Sequence, residues 1–120
     1  MKDGRTGYLN GLAAEDIAVR EYQARGAEIL HQRWKCKEGE IDLIACQGGV
    51  LVFIEVKARK NHAAAAESLS PNQQQRLLNA ANRYLAENDQ SLDTETRFDL
   101  VTVDRAGRPE ILENALNALW

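Results

Sequence analysis

Hydrophobic and polar residues alternate along this chain in two rhythms, one of three to four residues and one close to two. From Gly11 to about Arg25, the apolar positions Leu12, Ala14, Ile17, Ala18 and Tyr22 follow the first rhythm, which predicts an amphipathic helix, and Gly26 supplies its stop. AEILHQRW, residues 27–34, has the apolar and β-favouring content of a strand. Glu40 to Cys46 and Val50 to Lys57 are rich in Ile, Val, Leu and Phe and flank Gly48-Gly49, a dipeptide suited to the positive φ angles of a tight hairpin. Within the second of these runs, VLVFIEV is apolar at consecutive positions, which predicts a central strand covered on both faces.

Residues 58–69 lose all periodicity and are expected to form a mobile connection. A helix then starts at SPNQ, with Ser70 as N-cap, Pro71 at the first helical position and Gln73 placed to close a capping box. Leu77, Leu78, Ala81, Tyr84 and Leu85 form its buried stripe. ENDQSLDTET is a loop by composition, RFDLVTVD alternates as a strand, and Asp104 to Gly107 turns into PEILEN, a further strand or helix. The closing ALNALW reads as a short helix or an interface tail. Together these elements predict a single α/β domain over residues 1–120, a mixed β-sheet with flanking helices.

Composition narrows the class only slightly. No apolar run approaches the ~20 residues that cross a bilayer, and MKDGRTGYLNG lacks the apolar centre of a signal peptide, so a cytoplasmic protein without membrane contact is expected. Cys36 and Cys46 show no CxxC spacing and are read as reduced thiols. A net charge of −3 argues against a protein that coats nucleic acid non-specifically, although carboxylates gathered at a cation site would bias the total in that direction.

The informative anomaly is the hairpin GEIDLIACQGGVLVFIEVKAR, which carries Glu40, Asp42, Glu55 and Lys57 inside the two most apolar strands. Such charges are costly to bury without a partner. If Gly48-Gly49 forms a two-residue turn, Asp42 lies opposite Glu55 and Glu40 lies opposite Lys57, and all four share one face. A turn centred on Gln47-Gly48 would instead set Asp42 against Phe53. In the first register two opposed carboxylates repel unless a cation sits between them, and Mg²⁺ suits a site with one or two carboxylates plus water and phosphate. Lys57 would then orient water or stabilise charge on a phosphate, which is the chemistry of phosphodiester hydrolysis. A plain ion pair between Glu40 and Lys57 is the competing reading.

The arrangement of Asp42, Glu55 and Lys57 resembles the PD-(D/E)xK signature of the restriction-endonuclease-like superfamily. GLAAEDIA, GEIDLIA, VFIEVKAR, the Ser-Pro helix start, AANRYL and RFDLV together resemble the small bacterial YraN family over nearly the whole chain. The resemblance implies a restriction-endonuclease-like α/β core, Mg²⁺ or Mn²⁺ held by Asp42 and Glu55, and a catalytic Lys57. Similarity to archaeal-type Holliday junction resolvases implies that Glu15 completes the acidic cluster. Ile41 stands where the superfamily signature has Pro, and Gln73 stands where relatives often carry Lys.

Arg59, Lys60, Arg76 and Arg83 are candidate phosphate contacts. Glu40 is read either as a residue that binds or orients a metal through a water or, by a narrow preference, as a neutralising partner for Lys57. His31 and His62 lack a ligand set, and Asp99 is assigned to local structure. The function expected is a Mg²⁺-dependent DNA endonuclease acting on branched or damaged structures, with a homodimer suiting a junction substrate. The rival functions are a binding module that keeps the fold without cutting and a structural protein whose polar patch only satisfies itself.

Overall fold

The computed structural model describes residues 11–88 and 94–116. The chain runs α1 (Gly11–Ala24), β1 (Glu28–Cys36), β2 (Gly39–Gln47), β3 (Val50–Ala58), α2 (His62–Glu67), α3 (Pro71–Glu87), β4 (Thr96–Val103) and β5 (Pro109–Leu112). The five strands form one mixed sheet in sequential order, antiparallel except for the parallel neighbours β3 and β4. Parallel neighbours need a long crossover, and α2 with α3 provides it.

Local chemistry explains the element ends. Gly26, at φ +85°, closes α1, with Ala27 N–H donating to Tyr22 O and Gly26 N–H to Gln23 O, the paired bonds of a Schellman cap. Gly48 and Gly49, at φ +57° and +83°, make the two-residue turn between β2 and β3. The ladder beyond it pairs Gln47 with Val50 and continues to Leu43 with Ile54, so the register follows from the glycine turn.

β3 is central and buried on both faces, as its continuous apolar run predicts. Val52 and Ile54 join Leu43, Ala45, Val101 and Val103 beneath Ala14, Ala18 and Tyr22 of α1. Leu51 and Phe53 join Ile41, Ile44, Phe98 and Leu100 beneath Leu77, Ala81 and Tyr84 of α3. The Tyr84 ring meets His31, Trp34 and Phe53 edge-on, with centroids 5.2–5.9 Å apart.

Two expectations are corrected here. The stretch read as a connection contains α2, because its alanines favour helix without giving any apolar contrast, and Asn61 caps it by accepting from Ala64 N–H at 2.7 Å. Gln73 does not close a capping box on Ser70. Ser70 Oγ does cap α3 by accepting from Gln73 N–H at 3.1 Å, but the Gln73 side chain is drawn across to β3. PEILEN resolves as strand over Pro109–Leu112. Parts of the 87–96 loop, most of the ALNALW tail and the first ten residues lie outside the described residues. Among the described residues no helix is long and apolar enough to cross a membrane.

Candidate active site

The site forms where β2 leaves β3. Their ladder ends at Leu43 and Ile54, and at the next position Asp42 Oδ2 accepts the Val56 N–H at 2.8 Å, so a carboxylate takes the place of a strand carbonyl. A regular pleat would put Ile41 and Leu43 on the same face, yet Leu43 packs under α1 and Ile41 under α3. Asp42 therefore sits at a break in the alternation, in the fork between the strands, where side chains from both layers can reach it.

From the α3 side comes Glu55, only 7 % exposed. Its Oε2 accepts from Gln73 Nε2 at 2.8 Å and lies 3.3 Å from Lys57 Nζ. Burial raises the Glu55 pKa well above the carboxylate range, the adjacent Asp42 charge raises it further, and Lys57 offsets only part of this. The Asp42 and Glu55 carboxyl groups are close enough to share a hydrogen bond, which favours the protonated form of Glu55 further. From the α1 side comes Glu15, half-buried, with a pKa pushed up to about 7 by burial first and then by Asp42, with Glu40 and Asp16 adding and Arg33 opposing.

A pocket of about 320 Å³ opens over the fork, walled by Gly39, Glu40, Asp42 and Glu55 of the strands and by Gln73, Arg76 and Leu77 of α3. Glu15 of α1 and Lys57, which sits beside Glu55, do not line that wall. Among the described residues no three His, Cys, Asp or Glu side chains are already disposed as an ion cage. The donor set nevertheless suits a hard divalent cation. Its carboxyl groups are crowded, and burial raises the proton affinity of Glu15 and Glu55 despite the nearby Arg33 and Lys57, while Mg²⁺ needs few protein ligands.

The fold thus brings Asp42, Glu55 and Lys57 of the hairpin together with Glu15, the residue that the resemblance added. It overturns the pairing of Glu40 with Lys57: the ladder has ended there, Lys57 engages Glu55, and Glu40 lies exposed opposite Lys35 of β1. Arg83 is also removed from the site, since it forms a two-point pair with Glu38 at 2.9–3.0 Å. Asp99 is structural, fully buried between the Tyr22 hydroxyl at 2.7 Å and the Arg97 guanidinium at 2.9 Å. Of the remaining cations, Arg76 lines the pocket, whereas Arg59 and Lys60 lie past the end of β3.

The reach of Gln73 to Glu55 and a second pair of cations escaped the sequence reading. The Ser70 cap fixes where α3 begins and therefore where Gln73 points, so the fixed Ser-to-Gln spacing was the available signal. Arg105 N–H donates to Lys60 O and Arg59 N–H to Val103 O, which sets exposed Arg105 and Arg108 beside exposed Arg59 and Lys60 on adjoining loops. No local pattern signals this, because it depends on β4 lying parallel to β3.

Comparison with other proteins agrees with the whole-chain pattern. The profile of the uncharacterised protein family UPF0102 matches residues 14–103, a span that includes Glu15, Asp42, Glu55 and Lys57. A UPF0102 protein of Roseobacter denitrificans is 43% identical over 95% of this chain and 88% of its own length. One from Cereibacter sphaeroides is 44% identical over 96% and 98%, and one from Ruegeria pomeroyi is 46% identical over 93% and 91%. With a family match across both layers and the fork between them, the chain belongs to the uncharacterised protein family UPF0102, the YraN family.

Proposed function

We propose that this protein is a metal-dependent nuclease that hydrolyses phosphodiester bonds in DNA, a cytoplasmic enzyme directed at branched or damaged structures. The observation that carries the reading is the convergence on one strand fork of Glu15, Asp42 and Glu55, from three elements, with Lys57 on the last of them. Burial and mutual repulsion of the charged forms raise the pKa of Glu15 and Glu55 beside a pocket, a perturbation that clusters at functional sites.

Asp42 and Glu55 would hold Mg²⁺ or Mn²⁺, with Glu15 as the third acidic group. Bound there, the ion supplies Lewis-acid polarisation of the phosphoryl oxygen and activates water. Gln73 fixes the Glu55 carboxyl by its 2.8 Å bond to Oε2. Lys57, held 3.3 Å from Glu55, is a cation placed to orient the attacking water and to stabilise charge developing on the phosphate. Arg76 on the pocket wall, with Arg59 and Lys60 past β3, would bind flanking phosphates. A two-fold dimer would match a symmetric junction substrate.

The net charge of −3 favours one second reading, a nucleic-acid-binding or protein-interaction module that retains the nuclease fold without cutting. Incubation with linear, supercoiled and four-way-junction DNA, in Mg²⁺, Mn²⁺ or EDTA, separates the two. Cation-dependent cleavage that falls by about 10²-fold or more in Lys57→Ala is expected. Cleavage unchanged in Lys57→Ala would falsify the mechanism, and Mn²⁺ binding lost in Asp42→Ala without any cleavage would establish the binding module.

A further inference from the structure

Arg33 occupies the one strained position in β1. Its φ is +53°, the left-handed region that a β-strand avoids and that long side chains occupy at a cost. The pairs on either side, Gln32 with Leu43 and Trp34 with Ile41, bracket Arg33 and Asp42 as the couple missing from the ladder. Both strands break their alternation at this step. In β1, His31 and Trp34 are three residues apart and both meet Tyr84, just as Ile44 and Ile41 in β2 both pack under α3. The left-handed turn at Arg33 is therefore how β1 follows β2 through the irregularity that frees Asp42 into the fork.

Glycine or asparagine would fill that conformation with less strain, so the backbone alone gives no reason for an arginine. The side chain is exposed, and among the described residues it makes no hydrogen bond and no close ion pair. It is the cation that acts on Glu15, at the α1 side of the site. Lys57 is already engaged with Glu55, and Arg76 stands across the pocket on α3.

The geometry points to Arg33 as a binding residue for a backbone phosphate of the nucleic acid, next to the acidic centre and on the opposite side of it from Arg76. A guanidinium is suited to this task, because its donors form a planar fork that matches two phosphate oxygens. The two arginines then bracket three carboxyl groups, so that a sugar-phosphate strand laid across the fork meets positive charge on both sides of the bond to be cut. The assignment takes its ligand class from the nuclease reading but depends on binding rather than on cleavage.

Anisotropy of a short fluorescein-labelled DNA duplex, titrated with the full chain in Ca²⁺ across a range of salt, tests it. Arg33→Asn accepts the left-handed backbone without the charge, and Arg33→Lys keeps the charge without the fork. Arg33→Asn is expected to melt no lower than wild type yet to bind about 10-fold more weakly, with a salt dependence shallower by about one phosphate. Arg33→Lys should bind between the two. Wild-type affinity and salt slope in Arg33→Asn overturn the assignment and leave the nuclease reading intact. A wild type that binds here but cuts none of the DNA substrates in Mg²⁺ or Mn²⁺, together with a weakened Arg33→Asn, supports the assignment and overturns the nuclease reading alone. A wild type that does not bind DNA overturns both.

Discussion

Burial of Glu55 beside Asp42 makes the fork sensitive to protons as well as to cations. The unfolded chain releases these carboxyl protons near the ordinary value of 4.5, whereas folded Glu15 holds its proton to about 7 and Glu55 is raised as well. Between those limits the folded state binds more protons, so this contribution to stability is greatest at the acid end and is lost as pH rises. Removing one member removes the repulsion. Melting of the metal-free wild type should drop between about pH 5 and about pH 8 by more than that of Glu55→Gln, and Mg²⁺ or Mn²⁺ should restore the loss in wild type only. Equal pH profiles for the two proteins would mean that the carboxyls are better solvated than their placement implies. Gln73 belongs to the same scale, since it touches Glu55 and not the pocket's far wall. Gln73→Ala should weaken Mn²⁺ binding by about 10–100-fold, measured by calorimetry, while DNA affinity in EDTA stays unchanged.

Elements carry these residues to the fork by ordinary means. The Ser70 cap sets the start of α3, and with it the reach of Gln73 one turn on. Ser70→Ala should cost about 1 kcal/mol in urea denaturation, with a larger proportional loss of Mn²⁺ affinity if the helix start frays. Phe53, buried between Tyr84 and Phe98 at centroid distances of 5.9 and 5.3 Å, holds β3 against α3 two residues before Glu55. Phe53→Ala should cost about 3–5 kcal/mol by the same measurement, since a core ring is removed without a neighbour able to fill its place. A cost under about 1 kcal/mol would show that α3 settles independently of the strand that bears the acids.

At the scale of the molecule, charge is distributed unevenly despite the net value of −3. Carboxyls gather in the fork, and the exposed cations Arg59, Lys60, Arg105 and Arg108 gather past the ends of β3 and β4, where backbone bonds stitch their loops together. A DNA strand leaving the fork along β3 would cross that edge. The double variant Lys60→Glu, Arg105→Glu should therefore bind duplex DNA more weakly at low salt, with the slope of log affinity against log salt reduced by about two, and should melt like wild type. An unchanged slope would place the DNA path elsewhere.

Sequence alone determined what depends on neighbours along the chain. The glycines placed a tight hairpin between β2 and β3 and left two registers open, and the positive φ angles of Gly48 and Gly49, with Gln47 paired to Val50, select the one that directs Asp42 toward Glu55. The apolar periodicities of α1 and α3, and the continuous apolar run of β3, likewise implied layers that the structure contains. Even so, perfect extrapolation of that ladder set Glu40 against Lys57, and the strands part before they meet. Tertiary structure decided everything at the break. Which side of the sheet α1 and α3 cover, how Gln73 reaches Glu55, why Arg33 adopts a left-handed backbone and how the two basic loops come together all depend on contacts between segments far apart in the chain. Local pattern carries no information on those contacts, because a side chain's partner across a fork is chosen by packing and electrostatics rather than by spacing.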